Sequence, residues 1–124
     1  MIKVVYTLLE LKENQFHGID LEIDYKKELK LLDMIEDIGI CYVKGSYKFI
    51  YSTYLEFKLD VSVELTYLTS DTLKPKKYQL NFHLEDEVSD TSQTEYKVID
   101  NKVDVYELVW GWLVAEMPLN IYET

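Results

Sequence analysis

The sequence predicts an α+β fold: a mainly antiparallel β-sheet, open or partly closed, packed by a C-terminal helix and by a short helix in the N-terminal half. Three observations point there. Leu55, Phe57, Leu59, Val61, Val63, Leu65 and Tyr67 alternate without error against polar residues, the period-two pattern of a strand with one buried face. Cys41, Val43, Gly45, Tyr47, Phe49 and Tyr51 before it, and Tyr78, Leu80, Phe82 and Leu84 after it, repeat the pattern. Near the C-terminus the period becomes helical, between a capping aspartate and a proline.

Taken in order, residues 5–13 admit a strand or a short helix, because Leu8, Leu9 and Leu11 settle neither period. Across residues 18–25, Ile19, Leu21, Ile23 and Tyr25 alternate with Asp20, Glu22 and Asp24, a half-buried strand. Residues 26–35 switch period: Leu29, Leu32 and Ile35 share a helical face while Lys26, Lys27, Glu28 and Lys30 stay wet. The strand from Ile40 and the Leu55 strand form a long hairpin across a turn at Ser52-Thr53, and a one-residue slip would expose its whole apolar face. Tyr78 to Leu84 supplies a third strand. Residues 85–95 are acidic, rich in Ser and Thr and without an apolar period, and read as a mobile loop. A short strand at residues 96–99 and a turn at Asp100-Asn101 lead to a helix over 104–117. Asp104 caps it, Glu107 has capping-box spacing, and Pro118 bars its continuation. Val105, Leu108, Val109, Trp112 and Ala115 or Glu116 form one face. Tyr106, Trp110, Leu113, Val114 and Met117 cover much of the rest, so the helix is buried on more than one side. Leu119 and Ile121 are candidates for an edge strand.

At 124 residues the chain is one domain's worth, expected to span residues 1–124. With 48% hydrophobic residues and eleven tyrosines it buries enough surface to exclude a disordered tail. An apolar run of about 18 residues is missing. So is a charged-then-apolar leader, and a cytoplasmic protein with no membrane partner is expected. Cys41 is the only cysteine, which excludes an internal disulfide and a cysteine metal cluster. On its apolar strand it reads as a small hydrophobe. Net charge is -10, and every cation is a lysine. Without arginine's bidentate fork, and with so acidic a balance, binding to nucleic acid requires a local basic patch. The acidic surface otherwise suits a basic protein partner, or plain solubility.

The densest basic spot is Lys74, Lys76 and Lys77 around Pro75. These lysines are the RNA-binding candidates; the plainer reading is a solvated loop whose lysines discourage edge pairing. Trp110 and Trp112 are two apart on a helix and cannot share a face. Tyr106, Trp110 and Val114 are the protein-interface candidates, set against a purely internal role. Tyr42, Tyr47, Tyr51, Tyr54 and Tyr67 offer base-stacking rings, although most share faces with core residues. His17 and His83 stand apart from metal-ligand spacing, so neither a metal nor a cofactor is expected. Glu22, Asp24, Asp86 and Glu87 are acids of the kind that chance supplies at this composition. No Ser/His/Asp ordering, glycine-rich phosphate loop or nucleotide fingerprint is present, and an enzyme is not expected.

The order of these features resembles the YceD family of large ribosomal RNA subunit accumulation proteins over almost the whole chain. A Leu-rich start is followed by a strand over residues 16–23, a short helix, and Val43-Lys-Gly45, similar to the family's Val-x-Gly strand opening. The strand from Leu55 then leads to Thr69-Ser70-Asp71-Thr72-Leu73, where the family reads Cys-x-Arg-(Cys/Thr)-Leu. Thr72 and Leu73 fit; Thr69 replaces the cysteine, and Asp71 puts an anion where the family has a cation. An aromatic strand (Tyr78 to Phe82), an acidic loop and an ending with Val103-Asp104 and Glu116-Met-Pro-Leu119 complete the match. The resemblance implies a non-enzymatic factor in large-subunit biogenesis, acting on large-subunit ribosomal RNA or pre-ribosomal particles. The other reading is an acidic adaptor or chaperone for a basic large-subunit ribosomal protein.

Overall fold

The computed structural model describes residues 4–118 and residue 121. It is α+β, with mostly antiparallel strands, and the sheet is open rather than closed. The elements are β1 (Val5–Thr7), α1 (Leu8–Glu13), β2 (Gly18–Ile23), a 3-10 helix (Lys26–Leu31), β3 (Ile35–Ile38), β4 (Cys41–Tyr51), β5 (Tyr54–Leu68), β6 (Pro75–Ser89), β7 (Tyr96–Lys97), β8 (Lys102–Asp104) and α2 (Val105–Glu116).

The main sheet has the order β2-β4-β5-β6-β7, with β3 pairing β5 beyond the end of β4. β5 is its axis. Leu55, Phe57, Leu59, Val61, Val63, Leu65 and Tyr67 are all buried on one face, as the alternation requires. β4 pairs with its first part, from Tyr51 opposite Tyr54 to Tyr42 opposite Ser62, and β6 pairs with its whole length. Ile19, Leu21, Ile23, Cys41, Val43, Tyr47, Leu80, Leu84 and Val88 extend the buried face sideways. The opposite face is a wet ladder of mixed charge: Lys48–Glu56, Lys58–Glu85 and Lys77–Glu64 each lie at 3.5 Å.

A second layer covers the apolar face. It contains α1 through Leu11, the small β1–β8 pair, and α2 through Val105, Leu108, Val109 and Leu113. Three core tyrosines tie the layers together. Tyr25 donates to the Tyr106 carbonyl (2.8 Å), Tyr47 to that of Leu11 (2.6 Å), and Tyr67 to that of Pro118 (3.0 Å). A tyrosine can bury its ring only if its hydroxyl finds a partner. The Leu11 carbonyl, in the last turn of α1, lacks an intrahelical one, and that of Pro118 lies beyond the end of α2, whereas the Tyr106 carbonyl, in the first turn of α2, takes the Tyr25 hydroxyl as an additional donor.

Both alternatives for residues 5–13 occur in succession, divided at Thr7. Its hydroxyl accepts from Glu10 N while Glu10 reaches back to Thr7 N, both at 3.1 Å, a complete capping box. Asp104 caps α2 by accepting from Glu107 N (3.1 Å), and the helix ends at Glu116 before Pro118. Asp100 and Asn101 both have positive φ, and Ile99 and Lys102 exchange two backbone hydrogen bonds around them, a tight hairpin turn.

The expected helix over 26–35 is corrected. Only residues 26–31 wind, as a 3-10 helix with no fully buried residue, and Ile35 begins β3 instead. So short a segment gains too little burial to hold an α-helix, whereas β3 gains pairing with the far end of β5. The mobile loop over 85–95 is also corrected: β6 runs on to Ser89 with its register unbroken. The proposed edge strand at Leu119 and Ile121 falls largely outside the described residues.

Candidate functional site

The β5–β6 hairpin carries the candidate lysines at its tip. Residues 69–74 make the turn, organised by Thr69, which is 1% exposed. Its hydroxyl accepts from Lys74 N (3.1 Å) and lies 2.7 Å from the Thr72 hydroxyl, while its N–H donates to the Lys74 carbonyl (2.9 Å). Leu73 takes a positive φ of 56°, and Ser70 N donates to the Ile121 carbonyl (2.8 Å). The segment matched to Cys-x-Arg-(Cys/Thr)-Leu is thus a tightly hydrogen-bonded turn.

Lys74, Lys76 and Lys77 are all exposed, but the fold does not put them on one surface. Lys74 belongs to the turn. Lys76 and Lys77 are adjacent on β6, so their side chains leave opposite faces of the sheet. Lys77 sits 3.5 Å from Glu64 across the ladder. The basic spot read from the sequence is therefore divided between two faces.

The other end of the hairpin is acidic. Glu56, Glu85, Asp86, Glu87 and Glu95, with Gln93 and Thr94, line a depression of about 300 Å³. Alternation separates the run Glu85-Asp86-Glu87. Asp86 turns to the covered face, where Trp112 Nε1 donates to its Oδ2 (2.8 Å), and Glu85 and Glu87 turn outward. The Tyr54 hydroxyl donates to Glu87, and this raises the Tyr54 pKa above its ordinary value. Beside the depression, Thr94 is buried and bonds Ser89 N (3.1 Å), the Ser89 hydroxyl (2.8 Å) and the Tyr96 carbonyl (2.9 Å). That network orders a turn which composition alone presents as a loop. Glu85, Asp86, Glu87 and Glu95 all belong to the acidic stretch read from the sequence, and only Glu56, on β5, is added to it by strand pairing. Glu22 and Asp24 line a different depression, with Lys27, Glu28 and Glu107, and are not brought to Asp86 and Glu87.

Of the protein-interface candidates, two face inward in part. Tyr106 packs on Tyr25 (ring centroids 4.6 Å apart) and donates to Glu28 Oε1 (2.9 Å). Burial, then that carboxylate, pushes its hydroxyl pKa up. Trp110 lies 5.0 Å from the Tyr25 ring. Val114 is 40% exposed. Both tryptophans are thus held by contacts within the chain, Trp110 on Tyr25 and Trp112 on Asp86. Tyr47 and Tyr67 are core residues, whereas Tyr42 and Tyr51 are exposed, Tyr51 beside Tyr54 at the β4–β5 turn. His17 stacks on Tyr47 (4.9 Å), and His83 Nδ1 lies 2.8 Å from Asp60 Oδ1 on the wet face. Burial pushes the Cys41 thiol up to about 12. Among the described residues, no three His, Cys, Asp or Glu side chains gather as a metal site, and no helix is long and apolar enough to cross a membrane.

Comparison with protein-family models, curated proteins and solved structures finds no match to this chain.

Proposed function

We propose that this protein is a non-enzymatic factor in large ribosomal subunit biogenesis, promoting accumulation or processing of the large-subunit ribosomal RNA by binding RNA or pre-ribosomal particles. The observation that carries this reading is the order of sequence features similar to the YceD family, from the residue 16–23 strand to Glu116-Met-Pro-Leu119. Residues in that order have definite physical roles: Gly45 allows a close strand approach, Thr69 organises the hairpin turn, and Asp104 caps α2. The exposed lysines beside that turn are the RNA-facing element of the proposal. Lys74 with one of Lys76 or Lys77 makes about two phosphate contacts on one face, a salt slope of only roughly -1 to -2 and a modest affinity.

A second reading has its own observation. The depression lined by Glu56, Glu85, Glu87 and Glu95 concentrates negative charge on a protein of net charge -10, as an adaptor or chaperone for a basic ribosomal protein would. Co-sedimentation with large-subunit precursors from the host, with and without nuclease, tests both. Nuclease-sensitive association abolished by K74E/K76E/K77E is the result expected for RNA contact. Association that survives nuclease and that triple variant transfers the function to the acidic end. Absence of association in both arms removes the ribosomal reading.

A further inference from the structure

Among the described residues, the β5–β6 hairpin leaves one edge of the main sheet open. β6 pairs with β5 from Pro75 opposite Leu68 to Ser89 opposite Tyr54. On its other side β7 covers only Val88 and Ser89. Among the described residues, no strand lies along residues 77–85 on that side. An edge of this kind presents unpaired N–H and C=O groups to any strand that fits it. Natural edges are usually guarded along their length by charge, proline or bulges. Here Pro75 and the lysines guard one end, and the acids the other. Residues 78–84 contain no proline, lysine, aspartate or glutamate, and their pairing with β5 is free of bulges.

The open stretch is centred on Asn81. An antiparallel copy of the same strand, related by a two-fold axis at Asn81, sets Lys77 opposite Glu85 of the second copy and Gln79 opposite His83. On the covered face it sets Tyr78 opposite Leu84 and Leu80 opposite Phe82. Directly opposed residues share a face, so polar meets polar and apolar meets apolar. Tyr78 and Phe82 are only half-buried in the single chain, and this pairing covers them. Neighbouring registers fail. Centring on Leu80 brings Lys76 to Leu84, a cation against an apolar side chain; centring on Phe82 brings Tyr78 to Asp86 and needs Val88, which β7 occupies. The wet face also continues in alternating sign, because Glu64 flanks Lys77 and Lys58 flanks Glu85, each at 3.5 Å.

We propose that this protein forms a two-fold homodimer by antiparallel pairing of β6 with β6 of a second copy, centred on Asn81. The strand itself selects that partner. A two-fold contact requires a self-complementary order, and lysine and glutamate stand equally far from Asn81 on its two sides. This inference does not depend on the ribosomal reading.

Sedimentation equilibrium of the full chain at micromolar concentration is expected to give twice the chain mass of 14.7 kDa. K77E and E85K each place like charges together at both symmetric positions, and each is expected to raise the dimer dissociation constant roughly tenfold. Mixing the two variants restores opposite charges at both positions, so the heterodimer regains wild-type affinity. N81C is expected to cross-link across the axis under mild oxidation, because facing Cα atoms in an antiparallel pair lie about 4.5–5.5 Å apart. Cys41 is buried and does not compete. A chain monomeric at all concentrations overturns the proposal. So does a dimer that neither charge variant weakens, or one that N81C fails to cross-link. Circular dichroism checks each variant's fold; should a charge variant unfold, the N81C cross-link decides alone.

Discussion

Substituting Gly45 by alanine tests how closely β4 packs on β5. Gly45 sits opposite Leu59 on β5 and opposite Ile19 on β2, so β4 has a strand on each side there. A Cβ at Gly45 would lie 2.8 Å from Leu59 Cα and 3.0 Å from the Lys58 carbonyl carbon, and closer still to the Lys58 carbonyl oxygen. All three are backbone atoms, so no side chain can turn aside. Relief requires β4 to move away from β5 by about 1 Å, which strains ladder hydrogen bonds worth roughly 1 kcal/mol each on both sides. Adding the usual penalty for an overpacked interior, G45A is expected to cost about 3 kcal/mol. With a urea m-value of about 1.5 kcal/mol/M for a chain of this size, the unfolding midpoint falls by about 2 M. Equilibrium urea unfolding followed by circular dichroism measures it. A loss below about 1 kcal/mol at unchanged m would falsify the close approach.

Other perturbations read different parts of the molecule. Thr69→Val keeps the shape of the hairpin turn but removes the buried hydroxyl that accepts from Lys74 N and contacts the Thr72 hydroxyl, and should cost about 1–2 kcal/mol in urea unfolding; Thr69→Ser should cost less. Cys41 is fully buried with a thiol pushed up to about 12, so Ellman's reagent should titrate it only at the rate of global unfolding. Burial raises the Tyr67 pKa to about 12 and raises that of Tyr25 further. Folding therefore favours the protonated hydroxyls, and the unfolded chain releases those protons first. Stability is complete below pH 10 and falls as pH rises through 10 towards 12, by about 1.4 kcal/mol per unit for each group. Phenolate absorbance at these positions should appear together with loss of the far-ultraviolet signal; titration of all eleven tyrosines in the folded state would remove that reasoning.

The strands were legible wherever alternation was carried by apolar side chains. Leu55 to Tyr67 announced β5, the apolar positions of residues 18–25 marked β2, and the Asp104 and Pro118 signals bounded α2. Legibility failed where tertiary pairing outweighed local pattern. Ile35 matched a helical face by spacing alone, and the far half of β5 claimed it for β3. Glu85-Asp86-Glu87 hid the end of β6, because the residue turned toward α2 is an aspartate satisfied by Trp112 rather than an apolar side chain. The lysines were visible as a cluster, but only the strand's alternation shows that Lys76 and Lys77 part company. The acidic stretch over 85–95 was visible, but its closure into a depression was not, since Glu56 and Glu87 become neighbours only through the β5–β6 register.

The proposed RNA contact and the proposed dimer meet at Lys77. They place it against different anions, a phosphate in one case and Glu85 of a second copy in the other. One ammonium cannot serve both fully, so the two equilibria must oppose each other. Linkage then fixes the size of the effect: RNA weakens the dimer by the same factor by which dimerisation weakens RNA binding. For two symmetric pairs of modest strength that factor is about tenfold, close to the loss expected for K77E in the dimer. Sedimentation equilibrium with and without a single-stranded RNA oligonucleotide measures one arm, and RNA affinity on either side of the dimer transition measures the other. A shift toward monomer on adding RNA, matched by weaker RNA binding in the dimer, is the expected pair of results. RNA binding that is unchanged across the transition would mean that Lys77 takes part in only one of the two contacts. K77E then identifies which, because it damages that equilibrium and spares the other.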